Sequence, residues 1–396
     1  MGSRRGTGEG GTAVAPESIL MDILRKRISS EFVRTTQPTE PAAQPVMHFP
    51  FLAIVGQVQM KKALILTMIN PDVGGVLLLG PRGTGKTTAV RGLVDLLPPV
   101  RRSRCPYGCE PEEAEIYGLE AICPDCADKL SKGEEITGFD QMRLVELPLN
   151  ARLEDVVGGM SERAAVEQSR VRLKRGILSY AHRNLLYIDE INLLDNAIAD
   201  AILDAAAQGR ATVRRGAFIT AYPAQFALVG SMNPEEGALR PQIKDRFGLR
   251  IVVQALREGQ DRLEVYRRVR AFKEAPHAFR GAWAEETAVL AEEIVRARER
   301  LPRVGVSPEA ENLVLALLDR LQVTSQRSEI AALEAARAHA AADGREEANA
   351  TDVAITAPMA LRQRQSGFLR EYERQVEQED EELQAAMAEA IGSLQS

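Results

Sequence analysis

The octapeptide Gly80-Pro81-Arg82-Gly83-Thr84-Gly85-Lys86-Thr87 constrains this chain more than any other stretch. It fits the phosphate-loop pattern G-x-x-x-x-G-K-[ST], which carries chemical meaning only between a strand and a helix. Both flanks are correct. The apolar run Gly75–Leu79 reads as a buried parallel strand, and Thr88–Leu97 has helical spacing before stopping at Pro98-Pro99. Glycines at 80, 83 and 85 let successive N–H groups curl around a triphosphate, with Thr84 and Thr88 in the same cradle, and the helix N-terminus adds partial positive charge. Lys86 would reach the β- and γ-phosphates and the Thr87 hydroxyl would bind Mg²⁺. The bland alternative is a Gly-rich turn that binds nothing, and the correct flanks argue against it.

At 396 residues the chain suggests two domains plus tails. Fifty basic residues against 56 acidic ones leave a net charge of −6, which argues against a general nucleic-acid binder. No apolar run approaches the ~20 residues that span a bilayer. The first sixteen residues are Gly-rich and lack the apolar core of a signal peptide, so a disordered cytoplasmic N-terminus and a reducing compartment are expected.

Residues 17–34 form a plausible amphipathic helix, with Ile19, Leu20, Ile23, Leu24 and Ile28 on one side, and residues 35–48 read as a linker. From residue 49 to about 255, apolar runs alternate with helical segments, the mark of an α/β fold with a parallel sheet flanked by helices. The expected strands are Val76–Leu79, Met142–Leu147, Asn184–Ile188 and Phe226–Gly230. Residues 256–366 turn almost wholly helical and predict a smaller all-α domain. An acidic, helix-prone tail closes the chain at 367–396.

Further chemistry gathers around the loop. Leu185–Ile188 is a strand ending in Asp189-Glu190, at the position where ligands bind in open α/β sheets. Asp189 would hold Mg²⁺, and Glu190 would polarise the water that attacks the γ-phosphate. Asn233, at the end of the next apolar run, could hydrogen-bond that water or the γ-phosphate. Arg246, in Lys244-Asp245-Arg246-Phe247, is the first candidate for a cation supplied to a neighbouring subunit's phosphate, with Arg240 the second.

All four cysteines lie between residues 105 and 126, as Cys105-x3-Cys109 and Cys123-x2-Cys126. Two close thiolate pairs with Pro and Gly turns fit tetrahedral Zn²⁺. An Fe–S cluster, two disulfides or incidental thiols are the alternatives, and a reducing compartment disfavours the disulfides.

Taken together, these residues resemble the AAA+ ATPases, and more narrowly the family of the small ATPase subunit (subunit I) of magnesium chelatase. The resemblance spans about residues 49–360. It runs through Ile54-Val55-Gly56-Gln57, Gly80–Thr87, Ile188-Asp189-Glu190-Ile191-Asn192-Leu193-Leu194-Asp195 and Asp245-Arg246-Phe247-Gly248. Its most specific part is Asn233-Pro234-Glu235-Glu236-Gly237 followed by Leu239-Arg240-Pro241-Gln242. The resemblance implies an AAA+ domain with an α-helical lid, ATP with Mg²⁺ at the interfaces of a hexameric ring, and Ile54 and Val55 at the adenine. It implies Arg327 as the lid's sensor arginine, acting in cis on the γ-phosphate. It also implies a helix-2 insertion over 151–176 and a pre-sensor hairpin over 211–220, for which Arg215-Gly216 between two β-prone runs is independent support. Implied partners are a second AAA+ subunit with an integrin-I-like domain and a large porphyrin-binding subunit. That assembly inserts Mg²⁺ into protoporphyrin IX for chlorophyll or bacteriochlorophyll synthesis. The chain departs from the family at Arg327-Ser328-Glu329, where Arg-Gly-Asp is usual, at Glu334, where Arg is expected, and at the cysteine segment. A MoxR-type remodelling ATPase is therefore the alternative, and a DNA-translocating ring a more distant one.

Overall fold

The computed structural model of the protein describes residues 47–105, 109–119, 122–160, 173–174, 176–215, 218–323, 325–362 and 364. The chain divides into two units, Met1–Met47 and His48–Ser396. The helix expected over 17–34 and the tail expected over 367–396 lie outside the described residues.

In chain order the strands of the α/β portion are β1 (Val76–Leu79), β2 (Pro99–Ser103), β3 (Thr137–Gln141), β4 (Leu144–Glu146), β5 (Gly159–Met160), β6 (Leu173–Lys174), β7 (Leu185–Ile188), β8 (Arg210–Arg215), β9 (Phe218–Pro223), β10 (Ala227–Met232) and β11 (Leu249–Val252). Five of them form one parallel sheet in the order β11-β1-β10-β7-β4. The chain leaves β1 for the far edge, works back to β10, then crosses to β11 on the other side of β1. The strand order thus reverses at β1, and the carboxyl ends of β1, β7 and β10 open onto the crevice where open α/β sheets bind ligands.

The sheet is buried on both faces, which is why its strands read as continuous apolar runs. Alternate side chains serve different cores. Val76, Leu78, Leu185, Tyr187, Val229 and Ile251 face one core; Leu77, Leu79, Leu186, Ile188, Leu228 and Met232 face the other. The first core continues without a break into the helices after β11. The helix Gln326–Ala342 buries Ala331, Ala332, Ala335, Ala336 and Ala338 against it, since alanine lets helix backbones approach closely.

The strand β11 was not among those expected, because Arg250 interrupts its apolar run. That guanidinium is buried (2% exposed) and lies 3.6 Å from Asp245 Oδ1. Three antiparallel pairs stand outside the main sheet. β2 pairs with β3, Pro99 opposite Gln141 and Ser103 opposite Thr137, and brackets the cysteines. β5 pairs with β6 inside the expected helix-2 insertion, and β8 pairs with β9 as the expected hairpin. Tyr222 Oη of β9 donates to the Val157 carbonyl at 2.8 Å and ties hairpin to insertion.

Candidate functional site

The loop after β1 is shaped by two requirements. A Cβ on Gly80 would stand 2.2 Å from the Val253 carbonyl, so this glycine is fixed by packing, and its own carbonyl receives the Lys86 ammonium at 2.6 Å. Gly83 and Gly85 are different. They hold φ of +77° and +85°, and a Cβ on either would project into open space within the cradle. Lys86, largely buried, also donates to the Pro81 carbonyl at 2.8 Å. Burial lowers its pKa from the ordinary lysine value, while Asp189, Glu236 and Glu190 oppose that shift. An ammonium so placed, ringed by carboxylates and amide groups, fits the phosphates of a nucleotide with a divalent cation.

Asp189 and Glu190 follow β7 directly. Thr87 Oγ1 donates to Asp189 Oδ2 at 3.1 Å, so the two expected Mg²⁺ ligands are adjacent. The other carboxylate oxygen accepts from Tyr187 Oη at 2.9 Å and from Ser231 Oγ. Tyr187 Oη also lies 3.2 Å from Thr87 Oγ1 and 3.1 Å from Ser231 Oγ. Burial pushes the Tyr187 phenol up, so it stays a donor. Glu190 adopts φ of +50°, a left-handed conformation that costs a non-glycine residue of order 1 kcal/mol and is typical of functional sites. Its N–H donates to Ser231 Oγ at 3.3 Å. Its carboxylate lies 3.6 Å from Arg82, whose guanidinium also binds Glu236. Asn233, 4% exposed, donates from Nδ2 to Glu236 Oε1 at 2.8 Å.

Lys86, Thr87, Thr88, Asp189, Glu190 and Asn233 therefore line one cleft of about 220 Å³. A cavity of about 690 Å³ adjoins it across Gly83, Thr84, Gly85 and Thr88, and contains Ile54 and Val55 with Leu256 and Val265. Its size and apolar lining suit a nucleobase and sugar. Sequence reasoning missed Tyr187, Ser231 and the Arg82–Glu236 pair. A tyrosine in an otherwise aliphatic strand was the available signal.

The arginines are elsewhere. Arg246 pairs with Asp204, and Arg327 lies 3.6 Å from Asp245 Oδ2. Both line a cleft of about 160 Å³ that includes Gly74 and Gly75, before β1, while the loop begins at Gly80, after it. Five residues of extended chain span about 16 Å. Arg327, expected to act in cis on the γ-phosphate, does not line the cleft of Lys86 and Glu190: the lid packs on the first core and carries this arginine beside Gly74 and Gly75. Arg240 Nη2 lies 3.2 Å from Asp200 Oδ1. Glu334 accepts from Asn70 Nδ2 at 2.7 Å and pairs with Arg337 at 2.9 Å, so this departure has a packing role.

The four cysteines converge. One Sγ from each lies within 4.8 Å of the others, with Cys105 3.7 Å from Cys109 and 3.6 Å from Cys123. Sulfurs about 2.3 Å from a tetrahedral zinc stand about 3.8 Å apart, so the donor set fits that ion. Among the described residues no helix is long and apolar enough to cross a membrane.

A magnesium chelatase subunit ChlI profile matches residues 152–258, and an AAA lid domain profile matches residues 316–386. The magnesium-chelatase subunit ChlI homolog of Methanocaldococcus jannaschii is 43% identical over 79% of this chain and 84% of its own length. The magnesium-chelatase 38 kDa subunit of Acidiphilium rubrum is 40% identical over 80% of this chain and 90% of its own. A solved structure of a candidate ATPase from Cytophaga hutchinsonii has the same fold at 18% identity, with a TM-score of 0.50 over 78% of this chain and 83% of that one.

Proposed function

Since the chain belongs to the family of magnesium-chelatase subunit ChlI, an AAA+ ATPase subunit, we propose that it is the ATP-hydrolysing motor of such a chelatase. The motor drives insertion of Mg²⁺ into protoporphyrin IX by a separate large subunit. The observation that carries this reading is the convergence of Lys86, Thr87, Asp189, Glu190 and Asn233 in one cleft beside a base-sized cavity. Lys86 and the loop N–H groups neutralise phosphate charge, and Thr87 with Asp189 would hold Mg²⁺. Glu190 takes the proton of the attacking water, and Asn233 orients that water through a neutral amide.

A ring of copies, read as a hexamer, supplies what the cleft lacks. Arg246, with Arg327 beside it, serves the phosphate of a neighbouring copy in trans, because neither lines its own cleft. Mixing Arg246→Ala chains into wild-type rings should silence sites next to the variant while leaving the variant's own nucleotide binding intact. Hydrolysis unchanged in all-variant rings would remove the trans role. An AAA+ subunit with an integrin-I-like domain and the porphyrin-binding subunit are the proposed partners. At Cys105, Cys109, Cys123 and Cys126 the cofactor is structural Zn²⁺.

The deciding experiment combines the purified chain, the two partner subunits, ATP, Mg²⁺ and protoporphyrin IX, with Mg-porphyrin fluorescence as the signal. Fluorescence that vanishes with Lys86→Ala supports the motor. No fluorescence, despite ATPase by this chain and a working control ring, favours a remodelling ATPase acting on an integrin-I-like or metal-binding partner.

A further inference from the structure

The insertion between β2 and β3 carries a metal donor and a structural anchor on adjacent residues. Cys109 is 5% exposed, and its sulfur accepts the Cys123 N–H at 3.3 Å within the cysteine cluster. Glu110, 6% exposed, turns the other way. Its two oxygens leave the insertion and meet His182 Nε2 at 2.8 Å and Arg183 Nη2 at 2.8 Å. Those residues form the turn that enters β7.

That turn is strained and held from several sides. Arg183 adopts φ of +57°, uncommon for a side chain of its size. Its N–H donates to the Gln225 carbonyl at 2.6 Å, and its Nη1 donates to the Arg101 carbonyl at 2.8 Å. His182 Nδ1 accepts the Gln225 N–H at 3.1 Å, which leaves Nε2–H to donate to Glu110. Gln225 stands two residues before β10. One carboxylate from the insertion therefore ties together the starts of β7 and β10. The far ends of these two strands deliver Asp189 and Glu190, about 13 Å away along the four-residue β7, and Asn233, about 20 Å away along the six-residue β10.

The insertion cannot place Glu110 through apolar packing of its own. Its buried cluster holds Cys109, Ile122, Cys126 and Ile136, two of them metal donors. A core this small needs a cross-link or an ion to fold.

We propose that zinc held by Cys105, Cys109, Cys123 and Cys126 is the fixed point of a brace. The ion sets Cys109, Cys109 sets Glu110, and Glu110 holds the His182–Arg183 turn so that β7 and β10 present their carboxyl ends in register. Glu110 is a positioning residue, and the inference rests on the ATPase reading given above.

The test uses the full chain. Metal analysis of the purified protein should give one zinc per chain, absent from Cys123→Ser, Cys126→Ser. Removing zinc with a thiol-directed mercurial and chelator, then restoring Mg²⁺, should lower kcat per nucleotide-binding site about threefold to tenfold, the scale of coupling carried by packed networks, and added zinc should restore it. Glu110→Gln should keep its zinc and its KM for ATP, and show a similarly reduced kcat per site. Removing zinc from that variant should then cost less than a further twofold, because ion and carboxylate act in one chain of contacts. Absence of zinc, or iron in its place, overturns the metal assignment. Zinc present with kcat insensitive both to its removal and to Glu110→Gln overturns the brace alone. A zinc-replete wild type that does not hydrolyse ATP overturns the ATPase reading, and the brace with it.

Discussion

Arg364 is the residue whose loss the structure makes most calculable. Its side chain is fully buried. It donates to Asp245 Oδ1 at 2.7 Å and to the carbonyls of Asp245, Phe247, Gly248 and Ala360 at 3.0, 2.8, 3.0 and 3.1 Å. Arg364→Ala does not orphan Asp245, which keeps Arg250 and Arg327 at 3.6 Å each and the Ser325 hydroxyl at 3.2 Å. The four carbonyls do lose this donor. At roughly 1 kcal/mol each, that costs about 4 kcal/mol, within the range that removing one partner of a buried ion pair does. A part of this returns, because burial and then the repulsion of Arg364 push Arg250 down to about 10. The net loss is about 3–4 kcal/mol, or a fall in Tm of roughly 4–6 °C at about 2.1 cal/mol/K of unfolding entropy per residue over the unit His48–Ser396. Arg364→Lys should recover less than half, since one ammonium cannot span the four carbonyls. Thermal melts of the full chain by circular dichroism decide it. A melt within about 1 °C of wild type for the alanine variant, or full recovery by lysine, would refute the reasoning.

Three further outcomes are expected. Glu190→Gln should retain nucleotide affinity by equilibrium binding but lose about 100-fold or more in steady-state turnover, the contribution of a positioned base. Tyr187→Phe removes one of the donors to Asp189 Oδ1 and leaves Ser231, so kcat should fall about fivefold to tenfold, the value of one hydrogen bond of about 1–1.4 kcal/mol, with KM for ATP little changed. Asp352 is fully buried, which alone would raise its pKa, yet bonds from Arg345, the Asn349 N–H and His339 hold it at about 2 against an ordinary 3.8. A depressed carboxylate stabilises the fold above its unfolded pKa, and that stability drains away as pH falls through the folded value. The Tm difference between wild type and Asp352→Asn should therefore be full at pH 7 and shrink between about pH 4 and pH 2, as read from melts across that range.

What the sequence made legible was chemistry confined to neighbouring residues. The loop from Gly80 to Thr87, the acids after Leu185–Ile188 and the two cysteine pairs each need fixed local spacing, and the fold brings the loop and the acids to one cleft and the four sulfurs to one cluster. What it hid was set by packing between distant segments. Arg327 ends up before β1 because an alanine-rich helix lies against the first core. Arg250 broke the pattern of β11 because its buried partner, Asp245, reaches it only through the fold. Tyr187 looked like a core aromatic, and most of it is one; its hydroxyl gains meaning from Thr87 and Ser231, supplied by two other segments.

The pairing of Ser103 with Thr137 means that residues 104–136 leave and rejoin the body of the protein at neighbouring points, one strand spacing apart. Closing such a gap with a short turn costs little chain entropy, and no strand of the main sheet lies inside it. The cysteine segment is in that sense a cassette. A lineage could exchange it without breaking a strand of the nucleotide site, provided the replacement keeps a carboxylate where Glu110 meets His182 and Arg183, and the same seam offers an engineer a place to graft a sensor whose state is passed to that turn.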